Sequence, residues 1–404
     1  MNIDIESIVL KHLAYCRAND WAGIDPYDAL NSRLLKALPF LDSRLPRIAM
    51  TQALKRSPIN IRPLLGIEKT QNPKALACFL SASLKLANLP TADREDHAGY
   101  MIERLKDLRS PGVPYWCWGY SFPWQTRTKL VPKLFPNLVC TSFVAGALLD
   151  AYEQRRDSRC LDMAVSAGDY IVNDLYWTEG ASCAGFAYPL PSWRQRIPNA
   201  NFLAAALLCR VYRHTGDRKY LDPALTAARY SAVQQRADGG WDYGEAPSQR
   251  WIDNFHTGYN LDALRDIGRH AETTEFEGRI RRGLDFYKDH FFLANGSVKY
   301  FHDRVYPIDA HCVAQSIITL LALKDLEPDN VPLAHSVFQW AMDNLWDERG
   351  FFYYRRLRFL TIRTSYMRWT QAWMFLALVT LLESGTKAGQ PQRLRESTSV
   401  DAAV

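Results

Sequence analysis

Residues 137–152 read NLVCTSFVAGALLDAY and residues 368–382 read RWTQAWMFLALVTLL, two runs that open on a few polar or aromatic residues and then stay apolar. A helix that is apolar on every side is buried on every side. Four further runs have the same form, at 73–86, 201–212, 254–267 and 309–323. Between the six lie segments with one apolar face and more charge, at 94–108, 159–175, 219–233, 275–290 and 332–345. Period-two strand patterns are scarce, so the chain reads as all-α. The buried runs start roughly every 53 to 65 residues, the spacing of a repeated helical hairpin with loops of variable length. Six inner helices with an outer layer predict an (α/α)6 toroid. The sixth inner helix has no amphipathic partner behind it, because residues 385–404 turn polar and are expected to form a frayed, disordered tail. The missing outer helix is therefore expected from the N-terminus, from 28–38 or 46–55. That would make residues 1–384 one domain, with about 1–62 as a capping segment.

Composition narrows the function classes. The 404 residues carry 49 Lys and Arg against 43 Asp and Glu, a net charge of +6 that is small for such a length, so a nucleic-acid partner is not expected. At 48% hydrophobic and 23% charged the chain is globular. Asp4 and Glu6 stand where a secretory signal carries Lys or Arg, and Lys11 and His12 break the apolar stretch that follows. No apolar run approaches the roughly 20 residues that span a bilayer. The eight cysteines, at 16, 78, 117, 140, 160, 183, 209 and 312, are scattered and include no Cys-x-x-Cys pair. These features read as a cytoplasmic protein with reduced, mostly buried thiols and no transmembrane segment.

In a toroid the loops that enter the inner helices gather at one end, and chemistry belongs there. Those loops are rich in rings and polar groups: YWCWGY at 115–120, PWQTR at 123–127, DGGWDYGE at 238–245, WIDNFHTGY at 251–259, YPIDAH at 306–311 and RWTQAW at 368–373. Aromatic faces beside directed hydrogen-bonding groups suit sugars. Trp118, Trp124, Trp241, Trp369 and Trp373 are thus candidate stacking platforms, with Gln125 beside them. The competing use of such rings is to plug the core of the toroid.

Asp253 and Asp309 each stand at the entrance to an inner helix, followed by His256 and His311. An Asp at that position is also a good helix cap. Hydrolysis of a glycosidic bond needs an acid and a second carboxylate, for which Asp253 leads and Asp309 is its partner, with Asp242, Glu245 and Asp303 as further carboxylates. Abstraction of the proton beside a uronate carboxylate needs a base, a proton donor and groups that neutralise the acid. His256 or Tyr259 is the candidate base, with His311 and Gln371 assisting. Asn201, Asn254, Gln371, Arg127 and Arg368 are candidates to hold the carboxylate, and Arg56 is a candidate anion clamp, as is Arg62. Lyase and C5-epimerase outcomes differ only after the proton has left.

Other chemistries lack their groups. The stretch QRADGGW at 235–241 is similar to the Gln/Trp turn of terpene-cyclase toroids, but the chain has no Asp-x-Asp-Asp or Asp-Asp-x-x-Asp cluster. Asp309, His311 and Cys312 have no second ligand pair at zinc spacing. Glycine-rich phosphate loops do not occur. No metal and no cofactor is expected.

The motifs YDALN at 27–31, KRSPIN at 55–60, CWGY at 117–120, WIDNFHTGY at 251–259 and RWTQAW at 368–373 resemble a family of six-hairpin toroid proteins encoded with bacterial exopolysaccharide and capsule biosynthesis genes. The resemblance covers most of the chain. Its wider six-hairpin glycosidase-like superfamily holds glycoside hydrolases, polysaccharide lyases and sugar epimerases, so the fold alone does not choose among them. It implies a carbohydrate-active enzyme that processes an acidic, uronate-containing oligosaccharide or polysaccharide, working beside other polysaccharide biosynthesis proteins. The alternative is a non-catalytic glycan-binding or assembly protein of an exopolysaccharide biosynthetic complex.

Overall fold

Polar caps start most of the inner helices. Asn72, Asn137, Asp253 and Asp309 each accept a backbone N–H from the helix they precede, and Pro198 occupies a first helical position, where a missing N–H costs nothing. The computed structural model describes residues 4–388, apart from 92, 94, 181 and 182. Three helices come first: α1 (Ile5–Ala18), α2 (Arg33–Lys36) and α3 (Arg44–Arg56). Five hairpins follow, each an inner helix and then an outer one: α4 (Pro73–Ala87) with α5 (His97–Asp107), α6 (Leu138–Arg155) with α7 (Ser158–Tyr170), α8 (Pro198–Thr215) with α9 (Arg218–Ala232), α10 (Asn254–His270) with α11 (Glu277–Phe291), and α12 (Ala310–Ala322) with α13 (Asn330–Leu345). The last inner helix is α14 (Ala372–Ala388).

Each inner helix packs on the next, and α14 packs back on α4, so the ring is closed. The N-terminus does supply the sixth outer helix, but from α1 rather than from 28–38 or 46–55. Val9, Leu13 and Cys16 form a buried stripe on α1, which packs on α14, and the buried His12 ring reaches the carbonyl oxygens of Gly350 and Gln371. By contrast α3 buries only Thr51 and Leu54, against a small separate cluster with Ala29 and Ile67. A helix with so narrow an apolar face cannot complete the ring wall. Helix α14 continues to Ala388, so the first four residues expected in the tail are helical, and 389–404 lie outside the described residues.

Short strands fix the loops at the entrance. Ile308–Asp309 pairs antiparallel with Arg355–Arg356, which pairs in turn with Thr361–Ile362. Seven of the cysteines are buried and Cys183 is half-buried, and none is in a disulfide.

Candidate active site

The second residue of five inner helices faces one shared space. Lys74, Val139, Asn199, Phe255 and His311 follow the first helical residues of α4, α6, α8, α10 and α12. Helix α14 is preceded by a π-helical turn, Met367–Gln371, whose second residue is Arg368. All six line a cavity of about 270 Å³. Such turns are rare, and here the turn brings both Arg368 and Trp369 to the wall. Tyrosines complete it: Tyr27, Tyr120, Tyr188, Tyr243, Tyr259 and Tyr300. Burial pushes the hydroxyls of Tyr120, Tyr243, Tyr259 and Tyr300 well above the usual tyrosine range, so they stay neutral.

Asp253, His256 and Tyr259 are spaced three apart on α10, which puts them along one face. The Asp253 carboxylate accepts the backbone N–H of His256 at 3.0 Å and the Trp251 indole N–H at 3.2 Å. Both of its oxygens also face Nδ1 of His256, at 2.9 and 2.8 Å. The ring proton therefore sits on Nδ1. Nε2 of His256, a residue of the cavity wall, makes no hydrogen bond among the described residues.

A second pair lies beside the first. Nδ1 of His311 donates to the Trp369 carbonyl oxygen at 3.1 Å, because a carbonyl only accepts, so Nε2 accepts from the Tyr259 hydroxyl at 2.6 Å. Burial, with Lys74 and then Arg368 nearby, holds His311 well below the usual imidazole range and keeps it neutral. The two pairs share Phe255 as a packing surface, with ring centroids 4.1 Å from His256 and 4.8 Å from His311.

Two cations face the same space. Arg368 forks onto Asp25 at 2.6 and 2.8 Å, and its guanidinium lies over the Tyr120 and Trp369 rings. Lys74 is buried, with Nζ 4.1 Å from the Phe143 ring centroid and 5.3 Å from those of Tyr259 and Trp373, and among the described residues no carboxylate is in ion-pair reach of it. Burial, then the Arg368 charge, lowers its ammonium to about 7. Asn199 adds a buried amide nitrogen with no hydrogen-bond partner among the described residues, and Trp124 an indole nitrogen in the same state. Among the described residues of this wall Asp253 is the one carboxylate. The cavity opens past Tyr27, Trp124, Tyr188, Tyr243 and Trp251 into an outer basin of about 860 Å³, where Arg127, Arg196 and Glu245 stand.

Of the residues singled out in the sequence, Asp253, His256, Tyr259, His311, Trp124, Arg368 and Trp369 meet in the cavity, and Arg127 stands in the outer basin, donating to the Ser248 carbonyl. Asp309 does not pair with Asp253 across it. It is fully buried behind the wall, with Oδ2 bound twice by Arg355, at 2.9 and 2.6 Å, and Oδ1 bound by the Trp369 indole and the His311 amide. Trp118, Trp241 and Trp373 lie in the core, the first two donating to the carbonyls of Leu105 and Ser231. Asn201 bridges Phe186 and Ser231, Asn254 bridges Ser316 and Tyr287, and Gln371 closes on the Phe352 backbone. Gln125 bonds Arg47 and Arg56 is exposed at the end of α3, so neither is on the cavity wall. Arg62 is buried against Asp28 at 2.7 Å. The one group of carboxylates and imidazole close enough to share an ion, among the described residues, is Asp93, Glu95 and His97, which is not part of this wall.

Lys74 and Asn199 escaped the reading of the sequence. Their signal is positional, for Asn72-Pro73-Lys74 and Ile197-Pro198-Asn199 open their helices alike.

No protein-family model and no curated protein matches the chain. Solved structures do. A sugar epimerase from a ruminal bacterium superposes with a TM-score of 0.58 at 12% identity, over 79% of this chain and 90% of that one. A GH76 alpha-mannanase of Bacteroides thetaiotaomicron gives 0.59 at 13%, over 79% and 88%. A polysaccharide lyase gives 0.58 at 9%, over 96% and 98%. The fold is that of the six-hairpin toroids. At these identities the likeness is one of fold, and the chemistry of this six-hairpin toroid has to be argued from its own wall.

Proposed function

We propose that the protein is a carbohydrate-active enzyme whose cavity holds an acidic sugar of an oligosaccharide or polysaccharide and moves the proton on the carbon beside its carboxylate. The observation that carries this reading is the His256 imidazole, held at Nδ1 by Asp253 and open at Nε2, in a chamber that also presents Lys74 and Arg368. His256 takes the proton from C5. The electron pair left behind spreads into the sugar carboxylate, where the two cations stabilise it. Tyr259, whose proton rests on His311, is the acid. It protonates the departing O4 as the C4–O bond breaks, giving an unsaturated uronate, or it returns a proton to the opposite face of C5, giving the epimer.

Hydrolysis fits less well. It calls for two carboxylates flanking the bond, whereas Asp253 is already engaged by His256 and Trp251, and Glu245 in the outer basin is bound by Arg196 and Tyr230. The outer basin suits the remaining sugars of the chain, and a place in surface-polysaccharide production accords with the loop motifs.

Incubation with uronate-containing and neutral oligosaccharides in deuterated water separates the outcomes. Ultraviolet absorbance of an unsaturated uronate means elimination, and deuterium at C5 means epimerisation. New reducing ends with neither signal would overturn the proposal.

A further inference from the structure

The stretch 33–69 holds eight Lys and Arg against two Asp and Glu, a net +6 that equals the net charge of the whole chain. The rest of the molecule is therefore neutral in sum. The same segment also carries half of the large apolar side chains that the described surface exposes: Leu34, Phe40, Leu45, Ile59, Ile61 and Leu64, of which Phe40, Ile59 and Leu64 are 73%, 71% and 85% exposed. Apolar side chains singly exposed are ordinary, but six of them in one short segment beside unpaired cations are not.

The charges are available as well as present. Arg33, Arg47 and Arg62 pair with Glu68, Asp42 and Asp28. Arg44 and Arg56, at the two ends of α3, are exposed and have no acidic partner among the described residues, and Lys69 reaches only the Asn19 side chain. The segment packs on its own small cluster of Ala29, Leu54 and Ile67, apart from the main core. It also flanks the cavity entrance, for Lys55 bonds the Tyr27 hydroxyl and Arg47 donates to Gln125, the neighbour of Trp124.

We propose that residues 33–69 dock the protein on an anionic lipid surface, with the mouth of the cavity held beside that surface. Lipid headgroups of negative charge match the unpaired arginines, and the protruding Phe40, Ile59 and Leu64 enter the headgroup boundary as the apolar side of an interfacial patch does. Such docking would present the cavity to glycan chains carried on lipid, and it holds whichever reaction the cavity performs.

Flotation of the full chain with vesicles tests the proposal. Vesicles of phosphatidylcholine with phosphatidylglycerol should carry the protein at low ionic strength, and phosphatidylcholine alone should not. Phe40→Ser with Leu64→Ser should abolish flotation. Arg56→Ala should weaken partition about fivefold and reduce its salt dependence. All these side chains are exposed, so circular dichroism and turnover should match the parent. The proposal is overturned if the protein stays free of both vesicle types, floats equally with both, or floats unchanged by the substitutions. It is equally overturned if light scattering shows that the same residues instead join two copies of the chain. None of these outcomes depends on turnover, so the proposal can fail while the reaction stands, and the reverse.

Discussion

Asp253 holds the His256 ring through one of its nitrogens: both carboxylate oxygens lie within 2.9 Å of Nδ1, and the imidazole stands on the cavity wall. The same carboxylate caps α10 by accepting the His256 amide. Helix start and imidazole orientation therefore depend on one side chain.

Asn at position 253 still caps a helix but offers one acceptor oxygen and an amide N–H₂ where two acceptors stood. Asp253→Asn should lower kcat about 10²–10⁴-fold, the range for losing a positioned general base, with helical circular dichroism unchanged. His256→Asn should fall as far. Full turnover in either variant would remove the pair from the mechanism.

Lys74 makes a prediction about pH. Its ammonium is lowered to about 7, so between about pH 7 and its ordinary 10.5 the unfolded chain binds a proton that the folded chain does not. Stability from this group rises with pH across that window, and the cost of burying the amine is at its full value below it. Lys74→Met should therefore raise the unfolding free energy in urea at pH 6 to 7, by up to about 5 kcal/mol, with the gap closing towards about pH 10. In the proposed reaction an acidic sugar pairs with the charged amine, so kcat/KM of the parent should fall as pH rises through about 7. The limb should be missing in the variant, together with a higher KM. A variant no more stable than the parent at pH 6 contradicts this account of the buried amine.

Asp309 should behave in the opposite sense to Asp253. Its removal leaves Arg355 buried without its counter-charge, so Asp309→Ala should cost about 3–5 kcal/mol in urea unfolding. Whatever folded protein remains should keep a measurable kcat.

The tryptophans divide in the same way. Trp118→Ala opens a cavity in the core and should cost about 3–5 kcal/mol of stability. Trp124→Ala removes a wall between the two chambers and should raise KM about tenfold with little change in the unfolding midpoint. Equal loss of stability in both would show that Trp124 is a core residue too.

The ring was legible because an inner helix writes its burial into local periodicity, as 137–152 and 368–382 do. What completes the site is not local. Asp253 and Asp309 have the same setting, each at the entrance of an inner helix and followed by a histidine. Their fates part only because Arg355, 46 residues beyond Asp309, is brought to it by strand pairing. Lys74 is hidden by the apolar run around it, and only the common second position of five inner helices picks it out. Helix α1 was passed over because its residues were weighed as a leader and not as a ring wall, although Val9, Leu13 and Cys16 already carried the stripe.

The wall of the cavity begins at Tyr27 and ends at Trp369, and the ring around it closes where α14 packs on α4. Hence no partial product of the ribosome owns the binding chamber. Nascent hairpins emerge and pair in sequence, but the pocket comes into being only when the segment through Trp369 has emerged and the ring shuts, so a chain cut before that point is a collection of helices without a chamber.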